Sequence, residues 1–336
     1  RGPPRARRRP TAGGERIRQL TLEFVPDAHH AEPPSPPRTA TEPSAGRAGL
    51  AALYTINADG SNLRAVAVPD GFARAAHPSW SPDGRRIAFA AFDATGRDPL
   101  VRVVASEGGP TVAVAAGVAP RWSHDGTRLI YMASGKAEYA TDWTAPGRND
   151  ERIEAVRLAG PGAGEVEVLA RGLWPRPAPN DDRIAFVARL DANWDIYLRS
   201  ADGTNLIRLT DDPANDTQPV WTADGRAIVF LSDRGNRWDL YLIAVDGRGE
   251  VVRLTNHRRR EDGADLNPDG TRVAFTDNAI RPDSRILLLD LASGAVRPLT
   301  ENSQGDRDPA WSPDGRALAF VSRRPTPLVP FSGRQP

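Results

Sequence analysis

Histidines are the residues of this chain best suited to metal-assisted or acid-base chemistry, and the sequence holds five of them. His77 stands just before a short apolar run, and His257 lies beside Arg258, Arg259 and Arg260. A neutral imidazole binds divalent cations, and it also takes up protons near neutral pH. Two histidines so far apart in sequence do not predict a metal site. We therefore predict no bound metal, and the simpler interpretation of His77 is a structural one.

The motifs of the common catalytic classes do not occur in the sequence. It contains no Gly-x-Ser-x-Gly nucleophile elbow, no Walker A loop, no His-Glu-x-x-His pair and no cysteine. These patterns carry serine hydrolase, phosphate-binding and zinc-dependent chemistry. The acidic run at 211–216 lacks the regular carboxylate spacing of a calcium loop. The sequence therefore predicts no catalytic residue and no cofactor.

One pattern of 13 residues recurs along the chain, and the elements that it forms must position the residues of any binding site. Its clearest copy, at 308–320, reads DPAWSPDGRALAF, and five related copies precede it at 77–89, 119–131, 174–186, 218–230 and 263–275. The turn positions are separated by 42, 55, 44, 45 and 45 residues. A period of about 40–45 residues built from strands is typical of propeller blades of four strands each. The recurring residues are Trp80, Asp83, Gly84, Trp122, Asp125, Gly126, Trp221, Asp224, Gly225, Asp269, Gly270, Trp311, Asp314 and Gly315.

Each copy predicts a β-hairpin. Proline presets φ, aspartate hydrogen-bonds the backbone ahead of it, and glycine accepts a positive φ. The apolar run that follows, Arg-Ile-Ala-Phe or a variant, is typical of a buried strand. The recurring tryptophans are expected to lie between neighbouring blades. The third and fifth copies depart from the pattern, because Pro177 and Leu266 replace the tryptophan.

A second hairpin follows each copy, as in the stretch 194–210 around Asp202-Gly203. The chain starts with such a hairpin at 50–69 and ends with a hairpin of the first type at 305–322. We therefore predict that these two ends share the sixth blade and close the ring, which removes two unpaired sheet edges. The predicted fold is all-β, a six-bladed propeller of four-stranded antiparallel blades.

The repeated residues resemble a known family. Pro-x-Trp-Ser-Pro-Asp-Gly-x-Arg-Ile-Ala-Phe, followed by Ile-Tyr and Leu-Thr, is similar to the PD40 (WD40-like) repeat of TolB-like propellers. Similar repeats occur in the propeller lobes of the prolyl oligopeptidase group. The resemblance covers residues 50–322 and implies a six-bladed propeller, but a fold does not fix one activity.

Composition gives the domain limits and narrows the classes of partner. Residues 1–49 are rich in Pro, Ala, Gly and Arg and predict a flexible segment, residues 50–323 predict the propeller, and residues 324–336 predict a tail. The formal net charge of +1 does not indicate a nucleic-acid partner. No apolar run is long enough to cross a membrane, although a membrane tether before residue 1 stays possible as an alternative.

The insertion at 135–150 predicts a surface loop. This loop either has no function or takes part in binding, and the sequence leaves both alternatives open.

Charged loops at one predicted face favour a protein or peptide partner. These loops, at 211–217, 256–262 and 301–307, lead into the inner strands. The candidate partner-binding residues at this face or around the channel are His77, Arg121, Arg176, Gln218, His257, Arg258, Arg259, Arg260 and Asp308.

The predicted function is a non-enzymatic interaction module outside the cytoplasm, in the periplasm or at the cell surface, acting alone or as a subunit of a larger envelope complex. Two alternatives remain open. One is a metal-assisted hydrolase or lyase acting on a carbohydrate or lactone, with His77 and channel carboxylates as ligands. The other is the propeller lobe of a longer peptidase or receptor.

Overall fold

The computed structural model of the protein describes most of the repeat region. The described residues are 51–67, 72–93, 95–96, 98–133, 151–189, 193–200, 204–247, 249–256, 260–277, 283–300 and 305–324. The predicted segment 1–49, residues 325–336 of the predicted tail 324–336, the insertion at 135–150, and the candidate residues His257, Arg258 and Arg259 lie outside them.

The described chain folds into 24 strands. In chain order they are β1 (Ala52–Asn57), β2 (Arg64–Ala67), β3 (Arg74–Trp80), β4 (Arg86–Phe92), β5 (Leu100–Ala105), β6 (Val112–Ala116), β7 (Val118–Trp122), β8 (Arg128–Ala133), β9 (Arg152–Arg157), β10 (Val166–Arg171), β11 (Leu173–Pro177), β12 (Arg183–Ala188), β13 (Asp195–Ser200), β14 (Ile207–Arg208), β15 (Asp216–Trp221), β16 (Ala227–Ser232), β17 (Asp239–Ala244), β18 (Val252–Arg253), β19 (Glu261–Leu266), β20 (Arg272–Asp277), β21 (Arg285–Asp290), β22 (Val296–Pro298), β23 (Arg307–Trp311) and β24 (Ala317–Ser322).

The strands form six sheets of four antiparallel strands, which confirms the predicted propeller. Blades 1 to 5 each use four consecutive strands, starting from β3, β7, β11, β15 and β19. Blade 6 has the order β2-β1-β24-β23, so it combines the two ends of the described chain. Ala52 pairs with Ser322 and Asn57 with Ala317 in an unbroken register. The predicted closure of the ring is therefore confirmed.

The Asp-Gly turns form because aspartate holds the backbone ahead of it. In blade 1, Asp83 Oδ1 accepts hydrogen bonds from the Ser81 hydroxyl at 2.5 Å and from the Arg85 N–H at 3.0 Å. Gly84 has a φ of 69°, a conformation that costs other residues steric strain. The turn of blade 3 has Asp181 instead, whose carboxylate accepts the Arg183 N–H at 2.8 Å. The turn of blade 3 thus forms the same hairpin with an aspartate at a different position of the repeat.

The recurring tryptophans lie where neighbouring blades meet. Trp122, Trp221 and Trp311 are 6–7% exposed, and Trp80 packs against the core between blades 1 and 6. The indole N–H of Trp221 donates to the Arg176 carbonyl of blade 3 at 2.8 Å. Trp80 and Trp122 make the same bond to Ala310 and Ser79 of the preceding blade.

The Leu-Thr ends of the outer strands serve a structural purpose. The Thr210, Thr255 and Thr300 hydroxyls accept the backbone N–H groups of Ile196, Leu240 and Ile286 at 2.8–3.0 Å. Buried aspartates near the same end of the blades form ion pairs with arginines: Asp195 with Arg208, Asp216 with Arg234, Asp239 with Arg253, Asp277 with Arg285, and Asp306 with Arg324. These contacts fix the ends of blades 3 to 6, which positions the loops of those blades around the central channel.

Candidate functional site

Six inner strands surround the central channel, and all of them bulge at the same repeat position. The pairing of each inner strand with its neighbour shifts register there. The bulged residues have positive φ values of 49–57° and form what we call the upper ring: His77, Ala119, Trp174, Gln218, Gly263 and Asp308. Five of them are not glycine, and this backbone conformation is uncommon for such residues. Backbone strain of this kind often accompanies functional sites.

One side of the upper ring is filled by aromatic contact. The His77 and Trp174 rings meet edge to face, with centroids 5.0 Å apart and an interplanar angle of 74°. His77 belongs to blade 1 and Trp174 to blade 3, so the contact passes over the small Ala119 of blade 2. Trp174 is only 8% exposed. Large side chains therefore occupy this half of the channel.

The other side of the upper ring is held by polar contacts. The Gln218 amide donates to Asp262, and its carbonyl oxygen accepts the Gly263 N–H at 2.8 Å. Asp308 Oδ2 accepts the His77 N–H at 3.2 Å, which connects blades 6 and 1. A side chain at position 263 would place its Cβ 3.3–3.5 Å from Thr276 and Asp308. Glycine at this position leaves room for the polar groups of the ring.

An ion pair crosses the channel below the upper ring, two residues further along the inner strands. Arg176 of blade 3 meets Asp265 of blade 5, with Nη1 and Oδ1 at 3.3 Å, and the intervening blade 4 contributes the smaller Val220. Arg176 Nη2 also donates to the Ala264 carbonyl at 3.3 Å. Burial raises the pKa of Asp265 above its usual value, although Arg176 opposes that shift. The pair forms a floor under the upper ring.

Three arginines surround the upper ring on the loop side and together form what we call the mouth: Arg74, Arg260 and Arg307. The Arg74 guanidinium lies 4.2 Å from the Phe92 ring centroid, and that of Arg260 lies 5.3 Å from the Trp238 centroid. Aromatic faces attract cations in this way. Arg307 Nη2 is buried and, among the described residues, has no hydrogen-bond acceptor.

The electrostatics of the channel keep His77 neutral. Burial, opposed by Asp308 and assisted by Arg121, Arg307 and Arg74, lowers the pKa of His77 to about 4. Burial alone would raise the pKa of Asp308, but His77 and the nearby Arg307 and Arg121 hold it below its ordinary value. The guanidinium groups around His77 would also repel a divalent cation. Among the described residues, no group of three or more His, Asp or Glu is arranged to hold a metal ion.

We expect acid to destabilise the fold through His77. The imidazole has a pKa near 6.5 in the unfolded chain and about 4 in the folded one. The contribution of the neutral imidazole to the free energy of unfolding is therefore complete above pH 6.5 and is lost as the pH falls towards 4. Between pH 7.5 and 4.5 this contribution decreases by about 2–3 kcal/mol. Urea unfolding at both pH values measures the decrease.

The matched variant is His77→Gln, because Gln218 already occupies the equivalent position with a φ of 50°. The variant should lose this part of the pH dependence. The same change at the exposed His124 is the control. Parallel pH curves for the parent and His77→Gln would contradict the burial of a neutral imidazole.

The candidate residues from the sequence occupy three levels of the channel. His77, Gln218 and Asp308 are in the upper ring, Arg121 and Arg176 lie two residues beyond it, and Arg260 is at the mouth. Sequence reasoning missed Trp174, Asp265 and Arg74, and it included Asp262 and Arg307 only as parts of the charged loops at 256–262 and 301–307. Trp174 could have been found, because it stands at the same repeat position as His77.

No helix long and apolar enough to cross a membrane occurs in the described part of the chain.

Comparisons with known proteins agree with the architecture. The PD40 family model, described as the TolB beta propeller domain, matches residues 170–327. A solved structure of a provisionally named TolB from Agrobacterium tumefaciens superposes with a TM-score of 0.65 and 22% identity, over 81% of this chain and 98% of that one. At this identity the similarity is one of fold.

Two curated relatives bear on function in different ways. An uncharacterized protein of Agrobacterium fabrum is 26% identical over 262 residues, which cover 73% of this chain and 83% of that protein. An uncharacterized peptidase of Bacillus subtilis is 26% identical over 205 residues, which cover 60% of this chain but only 28% of the peptidase. The fold thus occurs both in TolB-like proteins and in a much longer protein named as a peptidase.

Proposed function

We propose that this chain, which is a TolB-like six-bladed β-propeller built from PD40 repeats, is a non-enzymatic module that binds a protein or peptide at the channel mouth. The observation that carries the proposal is the shape and polarity of the channel. The Arg176–Asp265 pair crosses it from blade 3 to blade 5, and the mouth above presents charged groups from blades 1, 5 and 6. A polar channel entrance of this kind suits a protruding side chain or terminus of a partner.

The channel groups are engaged in contacts that favour binding over catalysis. Gln218 bonds to Asp262, Asp308 accepts the backbone of His77, and Arg176 pairs with Asp265. A general acid or base needs a pKa near the working pH and access to the substrate. His77, with its pKa of about 4, is neutral at pH 7 and packs against Trp174.

The proposed setting is the cell envelope, outside the cytoplasm, with residues 50–323 as the interaction module. The TolB-like repeats support this setting, and the module would act there alone or as a subunit of a larger complex. The alternative of a peptidase lobe is supported by the similar peptidase, which extends far beyond the matched region. The alternative of a metal-assisted hydrolase or lyase has less support, because arginines surround the histidine that would bind the metal.

An affinity capture with the full chain as bait tests the proposal. Proteins from the native envelope fraction are captured by the parent and by a mouth variant in which Arg74, Arg260 and Arg307 are all alanine. The control replaces three exposed arginines at the Asp-Gly turns of the opposite face, Arg85, Arg226 and Arg316, with alanine. Both variants lose three positive charges.

We expect a reproducible partner that the parent and the control retain and the mouth variant loses, with all three proteins showing the same circular dichroism spectrum. A partner captured equally by both variants would move the binding surface away from the mouth. A blank capture together with a stoichiometric metal that His77→Ala removes would favour the metal-dependent enzyme.

A further inference from the structure

We propose that the mouth recognises a carboxylate of the partner and that Arg307 is its main donor. This inference rests on the proposed function and adds the chemistry of the ligand to it.

The first support is an uncompensated positive charge in the channel. Within the described residues, the charged groups assigned above to the channel and its mouth are five arginines and three aspartates: Arg74, Arg121, Arg176, Arg260, Arg307, Asp262, Asp265 and Asp308. Arg176 and Asp265 form an ion pair and neutralise each other. The remaining arginines outnumber the remaining aspartates by two, whereas the whole chain has a net charge of +1.

The second support is the buried donor of Arg307. Three arginines near the blade ends, Arg208, Arg234 and Arg324, have aspartate partners. At the mouth, the buried Arg260 Nε and Arg307 Nη2 do not have an acceptor within the described residues. Buried polar groups in folded proteins are nearly always hydrogen-bonded, so an exception calls for an explanation. A ligand oxygen at the mouth would supply the missing acceptor.

The position of Arg307 places its charge beside the upper ring. It lies one residue before Asp308 of the upper ring, and its charge acts on both His77 and Asp308. Asp262 occupies the equivalent position in blade 5, and its carboxylate reaches the Gln218 amide of the ring. Side chains at this repeat position therefore extend over the ring, where an entering group would meet them.

The surroundings favour a carboxylate over a phosphate or a cation. A guanidinium matches the planar carboxylate and donates to it in a fixed geometry. Asp262 and Asp308 stand nearby and would repel a doubly charged phosphate more strongly than a singly charged carboxylate. The excess positive charge disfavours a cation. His77 and Trp174 fill part of the ring, so the ligand enters as a narrow group such as an acidic side chain or a chain terminus.

Calorimetric titration of the full chain with defined probes tests the inference. The probes are sodium acetate, an acetylated and amidated hexapeptide with one central glutamate, the same peptide with glutamine, and the glutamine peptide with a free carboxyl terminus. We expect at least one carboxylate probe to bind at least tenfold more tightly than the neutral peptide. If the glutamate peptide binds best, the recognised carboxylate belongs to an acidic side chain, and if the free-acid peptide binds best, it belongs to a chain terminus. If acetate binds as tightly as both peptides, the ligand is a small free acid.

Arg307→Met should weaken the preferred probe at least tenfold, while Arg316→Met, an exposed arginine at the other end of the same blade, should leave it unchanged. Arg307→Lys keeps the charge but not the planar fork, and it should give an intermediate loss. Arg307→Lys also serves as the test if Arg307→Met fails to fold. Equal binding of all three peptides with no binding of acetate, or unchanged binding in Arg307→Met, would overturn the inference.

The same variant separates this inference from the proposed function. Suppose that Arg307→Met still captures the envelope partner, whereas the triple mouth variant does not. Carboxylate recognition by Arg307 would then be wrong, and the interaction module would stand. If both Arg307→Met and the triple mouth variant keep the partner, the result would count against the proposed binding face itself.

Discussion

Replacing Trp311 with alanine should lower the free energy of unfolding by about 3–5 kcal/mol, the range found for removing a large buried aromatic side chain. Trp311 is 6% exposed and packs with Tyr54, Leu288 and Phe320. This cluster joins blade 5 to blade 6, the blade that closes the ring. The cavity would therefore weaken the closure itself. Urea unfolding followed by circular dichroism measures the change.

Phenylalanine variants separate the packing of Trp311 from its polar group. The indole nitrogen of Trp311 is buried and has no hydrogen-bond partner in the described structure, whereas that of Trp221 donates to Arg176 at 2.8 Å. The Trp221→Phe change loses this bond, so it should cost about 1 kcal/mol more than Trp311→Phe. An unfolding curve of Trp311→Ala that matches the parent would show that Trp311 is not part of the core.

The blades could be predicted from the sequence because each one depends on local signals. The Asp-Gly turn fixes the first hairpin, and a buried run such as Ile87–Phe89 follows it directly. The closure could also be predicted, since a hairpin without a partner at each end leaves one solution that pairs both edges. Even blade 3 keeps its place without the tryptophan and the turn glycine, because the continuous run of buried residues in β12 is enough to define a strand.

The channel was harder to predict, because its contacts join distant repeats. Arg176 and Asp265 are 89 residues apart in sequence, and His77 and Trp174 belong to blades that are not neighbours. Their meeting depends on the diameter of the closed ring, which no local pattern encodes. The bulge adds a second difficulty. It shifts the register within each inner strand, so that Arg121 and Arg176 lie below His77 and Asp308 instead of beside them.

These two levels make different contributions to the proposed function. The lower pair and the aromatic contact maintain the shape of the channel, while the mouth provides the charge that a partner would meet. A variant of the lower level should therefore change stability first, and a variant of the mouth should change binding first. This separation distinguishes a binding module from a catalytic site, in which the same residues would serve both purposes.

The Asp265→Asn variant tests the lower level, and it should reduce the free energy of unfolding by about 3 kcal/mol. The side chains of Arg176 and Asp265 are 17% and 16% exposed, so the change leaves a largely buried guanidinium without its counter-charge. Breaking a buried pair from one side costs about 3–5 kcal/mol, and the solvent that still reaches the pair favours the lower end of that range. The variant also weakens the acceptor of the Trp311 backbone N–H, which donates to Asp265 Oδ2 at 2.7 Å.

A double-mutant cycle shows whether the loss comes from the unpaired charge. Arg176→Met combined with Asp265→Asn removes both charges, so it should be more stable than the sum of the single changes predicts, by about 1–2 kcal/mol. Glu107→Gln breaks the exposed pair with Arg64, whose partners are 81% and 37% exposed, and it should change stability by less than about 0.5 kcal/mol. Additive effects in the cycle would mean that Arg176 and Asp265 do not depend on each other, and the channel would then have no floor of the kind described.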